Sequence, residues 1–495
     1  MRVTNPNQRT LLAMNAERNN DKVPSVFFVS SIAGQSDTQI EDSSTRAYLA
    51  LATGSLAFVL ATINVTVSNV AFPEIVKAFP GISNGTSGWI ISGYALAFSS
   101  TLLSGGRLAD RYGRLPIFKF GLIGLLISSI AAGFATNIWI LVAARAAQGV
   151  CGALAVPSSL ALVLPKFLPS KQASVIGLWA AAGMAASGLA PGLAAFILEF
   201  GSWRLIYLIL APISCLGLLG AKLFLDETAE RDTNKSLDLL GISMGSGSIF
   251  FLVLATLQGR SWGWNAPITI ACFLISAFLL TSLVSRSKSH PEPAIDLDLF
   301  RIRSFTVANI AVALSMVGAF TSWFLWPVYL TEVWNYSKLS IGLAFTPAPV
   351  ISALVAILSG RWADKHGFRG LMGLASFLAA SGHIWLFFFL NETINFWFSF
   401  FPATVLFGLG MGVLASQLNS AALLAVPAKS IATANGIHQS LRYAVGAMGA
   451  ATAIAILNGT HDVWRYDLMW LLLAGMQMAV IPLMLFVYPK SKIKK

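Results

Sequence analysis

The sequence predicts an all-α polytopic membrane protein with fourteen transmembrane helices. Its 495 residues are 56% apolar and only 11% charged, with a mean hydropathy of +0.71, whereas about a quarter of the residues in soluble proteins are charged. Uncharged runs such as 121–141 recur along the chain, and each is long enough to cross a bilayer, which takes about 20 apolar residues. A repeated charged loop divides these helices into two related sets.

The apolar runs and the polar segments between them define the predicted elements. Residues 1–43 are polar and predict a disordered tail. Residues 44–225 form one six-helix half, 226–300 an inserted helix pair with its linkers, 301–488 a second six-helix half, and 489–495 a basic tail. In order, the predicted spans are 47–72, 87–106, 115–134, 138–162, 173–197, 204–224, 239–258, 267–285, 305–330, 340–360, 371–390, 396–424, 432–457 and 467–488.

The positive charge follows the predicted topology. An even number of spans places both termini on one side, and that side receives 26 of the 33 Lys and Arg residues. Because cytoplasmic loops retain Lys and Arg, we expect both termini in the cytoplasm and the protein in the plasma membrane. This bias explains the net charge of +12 without a nucleic-acid partner.

A duplication is visible in two loops. Residues 106–113 read GRLADRYG and residues 360–367 read GRWADKHG. Five identities and one Arg/Lys exchange recur at a constant offset of 254 residues. Spans one to six and nine to fourteen therefore form the related halves, and spans seven and eight are inserted between them.

Several segments resemble motifs of one transporter family. The loop 105–114 resembles the signature between the second and third helices of the major facilitator superfamily, and 145–149 resembles its fourth-helix Arg-x-x-Gln-Gly motif. Similar segments to those of its fourteen-span drug:proton antiporter branch extend over residues 44–488. The resemblance implies the major facilitator fold, with a substrate site near the midplane between the halves, and a multidrug efflux function.

The repeated loops are candidates for a gate. Glycines allow close helix approach and tight turns, and Asp110 can face a helix N-terminus or a cationic partner. In the resembling family this loop helps to switch between outward-open and inward-open states. For the arginines, the alternative is a simple topology signal. The gating candidates are Gly106, Asp110, Arg111, Gly113, Arg114, Asp364, Lys365 and Gly367.

Arg145 lies inside span four, where an unpaired guanidinium costs several kcal/mol. Gln148 follows three residues later on the same helical face. Together they can bind a carboxylate, a substrate or water. Alternatively, backbone carbonyls of neighbouring helices hold Arg145.

Span thirteen carries a polar face of Asn435, His438, Gln439 and Arg442. We take His438 as the only in-span group that titrates near neutral pH, so it can carry a proton, with a hydrogen-bonded neutral histidine as the alternative. Arg442 resembles an arginine that the branch often has at this position.

Two further sets of residues resemble family features or suit a ligand. Gly188, Pro191 and Gly192 in span five resemble the antiporter motif, although alanines replace its later glycines, and predict tight helix packing. Tyr94 and Trp326 suit flat lipophilic or cationic compounds through dispersion and cation–π contacts. The alternative for these aromatic residues is ordinary packing.

An expected carboxylate is missing. The resembling branch commonly has the pattern Asp-x-Thr-x-x-Asn-Val-Ala in its first span, but here Asn64 occupies the Asp position and Asn69 the later amide. An amide can bind a solute but cannot ionise. None of the 21 acidic residues falls at the midplane, so we expect a cavity of positive character that prefers neutral, zwitterionic or anionic solutes.

Three functions follow from these residues. The first is a proton-coupled exporter of lipophilic compounds; the second is a carrier of an anionic or lipid-like metabolite without the usual proton antiport; the third is a transport-inactive sensor. We expect no enzyme activity, no metal, no cofactor and no use of ATP, because the motifs for them are missing from the sequence. We also expect a monomer that works by alternating access.

Overall fold

The computed structural model describes residues 45–82, 84–227, 238–457 and 463–489. The predicted tail 1–43 and almost all of the tail 489–495 lie outside the described residues, as does part of the linker before span seven. The regular elements of the described residues are helical, and every predicted span coincides with a helix.

The first half and the inserted pair comprise eight helices along the chain. They are α1 Thr45–Ala78, α2 Asn84–Tyr112, α3 Arg114–Gly133, α4 Ile138–Val163, α5 Gln172–Phe200, α6a Trp203–Leu208 with α6b Leu210–Phe224, α7 Leu239–Trp262 and α8 Pro267–Ser289.

The second half comprises six helices, two of which begin or end in a π-turn. They are α9 Arg303–Glu332, α10a Lys338–Phe345 with α10b Pro347–His366, α11 Arg369–Phe389, α12 Phe401–Leu423 after the π-turn Phe396–Phe400, α13 Ile431–Leu457, and α14 Val463–Pro482 before the π-turn Leu483–Val487.

Twelve segments of the described residues are long and apolar enough to cross a membrane. These twelve do not include α2 and α13, which have 29 and 27 residues and pack against each other. The fourteen predicted helices are thus present, and the crossing of the bilayer by α2 and α13 stays a prediction.

The two halves meet along two main pairs of helices. Helix α2 packs against α13, and α5 packs against α10b. The inserted helix α7 packs on both α2 and α13, so it covers one of these two joints. Leu96, Val253 and Ala444 form a small apolar cluster where the three helices meet.

Candidate functional site

The first buried polar cluster surrounds Arg145 on α4. Its Nε donates to the carbonyl oxygen of Ile90 at 3.0 Å, and Nη1 donates to Gln148 Oε1 at 2.9 Å and to Asn64 Oδ1. Gln148 in turn donates to Ser129 Oγ at 3.0 Å. The alternative of a backbone carbonyl partner therefore applies to Arg145, which is also held by side chains from two helices, and binding of a solute by Arg145 and Gln148 stays a prediction.

The groups that stabilise the positive charge of Arg145 are neutral. The guanidinium carbon lies 4.5 Å from the centre of the Tyr94 ring and 5.7 Å from that of Tyr207, within the range of cation–π attraction. Tyr94 donates its hydroxyl to the carbonyl of Ala61 at 3.1 Å. Asn64 supplies an amide oxygen where a carboxylate would give a salt bridge, so the cluster keeps a net positive charge.

The second buried polar cluster lies on α13. His438 Nδ1 is 3.1 Å from Asn309 Oδ1 on α9, and the amide nitrogen of Asn309 donates to the carbonyl of Phe305 at 2.8 Å. Because Asn309 presents its oxygen, His438 Nδ1 carries the proton in the neutral ring and Nε2 is an acceptor. Asn435 and Gln439 are fully buried beside it.

Arg442 has few partners compared with Arg145. Among the described residues its single hydrogen bond is a long one, 3.5 Å from Nη1 to the carbonyl oxygen of Ala415 on α12. Its Nε, both amide atoms of Asn435 and of Gln439, and His438 Nε2 have no hydrogen-bond partner there. Buried polar groups normally have partners, so these atoms are available to a water molecule or a ligand.

Aromatic rings connect the two clusters across the joint between the halves. Tyr94 and Phe98 on α2 stack with their centroids 5.6 Å apart. Phe98 meets Tyr443 on α13 edge to face at 5.0 Å, and Tyr443 meets Phe320 on α9 at 5.8 Å. These ring contacts join α2 of the first half to α13 and α9 of the second half.

Asp110 lies at the end of the α2–α13 joint where α2 ends and α13 begins. Its Oδ2 accepts hydrogen bonds from the backbone N–H and the hydroxyl of Thr433, at 2.8 and 2.7 Å, in the first turn of α13. Arg114 lies 3.4 Å from Asp110 Oδ1 and donates to the carbonyls of Ala161 and Ala428. Asp110 thus meets both kinds of partner that the sequence suggested.

Asp364 makes the corresponding contacts at the other joint. Its carboxylate accepts from the backbone N–H groups of Ala173 and Ser174, both at 3.1 Å, and from the Ser174 hydroxyl in the first turn of α5. Each half therefore offers a carboxylate to the N-terminus of a helix in the other half, where the helix dipole favours negative charge. We call these two sets of contacts the reciprocal latches.

Glycines let the helices approach at the latches. A Cβ on Gly106 would collide with the Ala432 carbonyl, and one on Gly360 would lie 2.6 Å from the Cα of Ser174. Gly113 and Gly367 have φ of 100° and 78° and form the turns that follow, a conformation that favours glycine. Arg111 is partly exposed and Lys365 is exposed beside these turns.

Other predicted site residues lie elsewhere. Asn69 is exposed and outside both polar clusters. Trp326 is buried against Phe345, Phe400 and Phe407 within the second half, so it packs in an aromatic core rather than beside Arg145.

In the span-five motif, only one of the two glycines lies close to another helix. A Cβ on Gly188 would lie 3.1 Å from Pro349 of α10b, which agrees with tight packing. Gly192 is exposed and a Cβ there would meet no atom within 4 Å, and Pro191 is half-buried. The packing predicted at Gly192 is therefore corrected, because Gly192 lies one helical turn beyond Gly188, past the contact with the start of α10b.

Two buried groups escaped the sequence analysis. His438 is not the sole imidazole inside the helices, since His383 on α11 lies 2.7 Å from the Ser322 hydroxyl of α9. Asn309, the partner of His438, was hidden in an otherwise apolar run. A search for every polar residue within the predicted spans would have found both.

These features define the class of the protein. Two six-helix halves, joined by reciprocal latches on one side and enclosing charged and amide side chains, form a membrane transporter. The chain belongs to the Major Facilitator Superfamily, which matches residues 54–284 and 308–495. The predicted family and fold are confirmed, and the chain is a transporter rather than an enzyme.

Two of the relatives are antibiotic resistance proteins of bacteria. The chain is 27% identical over 424 residues to the methylenomycin A resistance protein of Bacillus subtilis, covering 84% of this chain and 88% of the relative. It is 30% identical over 418 residues to the puromycin resistance protein of Streptomyces alboniger, covering 83% and 82%.

A solved structure has the same fold. The human organic anion transporter MFSD10 superposes with a TM-score of 0.64 at 15% identity, over 88% of this chain and 99% of that one.

Proposed function

We propose that this protein is a secondary exporter of lipophilic small molecules that works by alternating access. The single observation that carries the proposal is the pair of reciprocal latches, in which Asp110 bonds Thr433 and Asp364 bonds Ser174 across the two joints. Such paired contacts between halves are what rocking motions make and break. The names of the relatives, resistance to methylenomycin A and to puromycin, support export of drug-like molecules.

We infer that the latched side faces the cytoplasm. The side that carries the latches also carries most Lys and Arg residues, which the charge rule assigns to the cytoplasm of a plasma-membrane protein. The conformation described is then closed on the inside, with both termini cytoplasmic and one chain as the working unit.

The energy source we propose is the proton gradient, with His438 as the group that carries the proton. In the neutral ring Nδ1 donates to Asn309 Oδ1 at 3.1 Å, so a proton can be added at Nε2, an atom without a partner among the described residues. Asp110 and peripheral acids such as Glu74 are the other candidates. The second function, carriage of an anionic solute without proton antiport, is favoured by Asn64 in place of an acid next to Arg145.

Transport into proteoliposomes tests the proposal. A fluorescent lipophilic cation and an anionic counterpart are offered with and without an imposed pH gradient to wild type, Asn64→Asp and His438→Gln. We expect gradient-driven movement of at least one probe by the wild type and its loss in His438→Gln. Movement of the anion without any effect of the gradient favours the second function, and no movement of either probe contradicts export.

A further inference from the structure

The polar face of α13 points toward the centre of the molecule. A helix turns once in 3.6 residues, so Asn435, Gln439 and Arg442 lie within about 60° of one another around α13. Gly436, on the neighbouring face, approaches α2, since a Cβ there would lie 2.7 Å from the Leu102 carbonyl oxygen. Ala444, on the opposite face, packs with α7. The three polar residues therefore face away from α7 and toward α12, where Arg442 reaches Ala415.

The chemistry of this face is that of a hydrogen-bond donor site. Arg442 is 7% exposed and Asn435 and Gln439 are 0% exposed. The Nε of Arg442, the amide nitrogen of Asn435 and that of Gln439 have no acceptor among the described residues. A buried cation with unused donors is costly unless an anion completes it. None of the ion pairs formed by the described residues involves Arg442.

Arg145 and Arg442 differ in the number of hydrogen bonds that their guanidinium groups make to the protein. Arg145 already donates to two side-chain oxygens and one backbone carbonyl, so three hydrogen bonds to the protein engage its guanidinium. Arg442 has one long bond to a carbonyl. Of the two arginines buried within the polar clusters, Arg442 is the one whose guanidinium is available to a ligand.

We propose that Arg442, Asn435 and Gln439 form a binding site for an anionic group, a carboxylate or an inorganic anion of similar size. The guanidinium supplies the charge and a planar pair of donors, and the two amides supply further donors and shape. Tyr443 follows Arg442 in the sequence, and its ring lies 5.0 Å from that of Phe98 across the joint. These two rings suit an apolar body attached to a carboxylate. The inference deepens the proposed function by naming the charge class of its solute, and it rests on that function only for the direction of transport.

Binding is tested on the purified full-length protein in detergent, in a dilute zwitterionic buffer that contains neither a carboxylate nor chloride. The thermal unfolding midpoint is followed by tryptophan fluorescence while naphthalene-2-carboxylate, its neutral methyl ester or chloride is added. We expect the carboxylate to raise the midpoint in a saturable way in wild type, the ester to have no such effect, and Arg442→Gln to abolish the response. Arg442→Lys keeps the charge but not the planar donors, so its response is weakened at least tenfold in apparent affinity.

Chloride distinguishes the two sources of the anion. If chloride alone raises the midpoint through Arg442 and competes with the carboxylate, the site holds an inorganic anion. If chloride has no effect, it holds the carboxylate of a solute. An equal response in wild type and Arg442→Gln overturns the site.

Two further controls keep the result independent of folding and of transport. Asn435→Leu and Gln439→Leu remove donors without removing the charge, and each should weaken the response if Arg442→Gln does not fold. Arg361→Gln removes an exposed cation on α10b and should leave the response intact. Because no transport is measured, anion binding without export would contradict the exporter and not the site, whereas export without Arg442-dependent binding would contradict the site alone.

Discussion

At the scale of single residues, Arg145 and Arg442 show how the same side chain is used differently. Arg145 is tied to Asn64, Gln148 and the Ile90 carbonyl, so it holds α1, α2 and α4 together. Arg442 makes one long bond and leaves donors unused. We therefore expect Arg145 to act mainly in stability and Arg442 mainly in ligand binding.

Replacement of Arg145 by Gln should destabilise the protein. The shorter amide leaves buried acceptors on Asn64, Gln148 and Ile90 without donors, and each such loss costs about 1–3 kcal/mol. We expect unfolding to be easier by about 3 kcal/mol or more in total, which lowers Tm by several degrees in a thermal scan. The exposed Arg361→Gln is the control, and an unchanged Tm for Arg145→Gln would show that the network is not structural.

The sequence predicted the buried residues that have a local signal, but it did not predict their partners. Arg145 and Gln148 were identified because charge inside an apolar run is conspicuous. Their partner Asn64 is 81 residues away from Arg145, and no local pattern indicates such a pairing. Trp326 was a poor candidate because composition does not tell a ring that lines a cavity from one that packs in a core.

At the scale of helices, apolar length alone predicted where every helix lies, but not its ends or breaks. Helix α2 continues through Tyr112, whereas the predicted span ended at residue 106. The prediction was too short because Arg107 and Asp110 are charged, although both residues are helical. The interruption of α6 at Ile209 and of α10 at Thr346 lies within apolar sequence and leaves no signal in hydropathy.

Close helix approach at the latches predicts an effect of adding one methyl group. In Gly106→Ala and Gly360→Ala the new Cβ meets backbone of the other half, and overpacking costs about 1–3 kcal/mol. The latched conformation should then lose about tenfold in population, with a matching fall in transport rate. The matched control is Gly370→Ala on α11, where a Cβ meets nothing within 4 Å. A rate equal to the control would show that the joint does not limit transport.

The inserted helix pair is anchored by Asp238, which predicts a pH effect. Burial raises the pKa of this carboxyl, but hydrogen bonds from Gly241, Arg286 and Ala294 outweigh it and leave the pKa below the usual 3.8. A lowered pKa stabilises the fold above the unfolded value, and this contribution disappears as pH falls through the folded value.

Asp238→Asn should therefore melt earlier than wild type at neutral pH, with a difference that shrinks as the pH falls below about 4. Thermal scans at several pH values measure it. A difference that is constant with pH would contradict the role of the charge, and Asp298→Asn, on an exposed carboxylate in the linker, is the control.

At the scale of the whole molecule, the duplication explains why the latches are reciprocal. Asp110 and Asp364 are separated by 254 residues and their partners Thr433 and Ser174 by 259, so each half repeats the same carboxylate and the same helix start. The sequence predicted the repeated loops, but it did not predict what they touch, because each contact joins residues between 190 and 323 positions apart. The inserted α7 packs across the α2–α13 joint.

The central claim, that the halves must separate at the latches during transport, is tested by joining them. In a variant whose three cysteines Cys151, Cys215 and Cys272 are replaced, Ser170→Cys and His366→Cys add exposed thiols on either side of the Asp364 contact. Transport in proteoliposomes is measured before and after a short, reducible thiol crosslinker, with the two single-cysteine variants as controls. We predict loss of transport on crosslinking and recovery on reduction, and a fully crosslinked protein that still transports at the full rate would contradict alternating access through these joints.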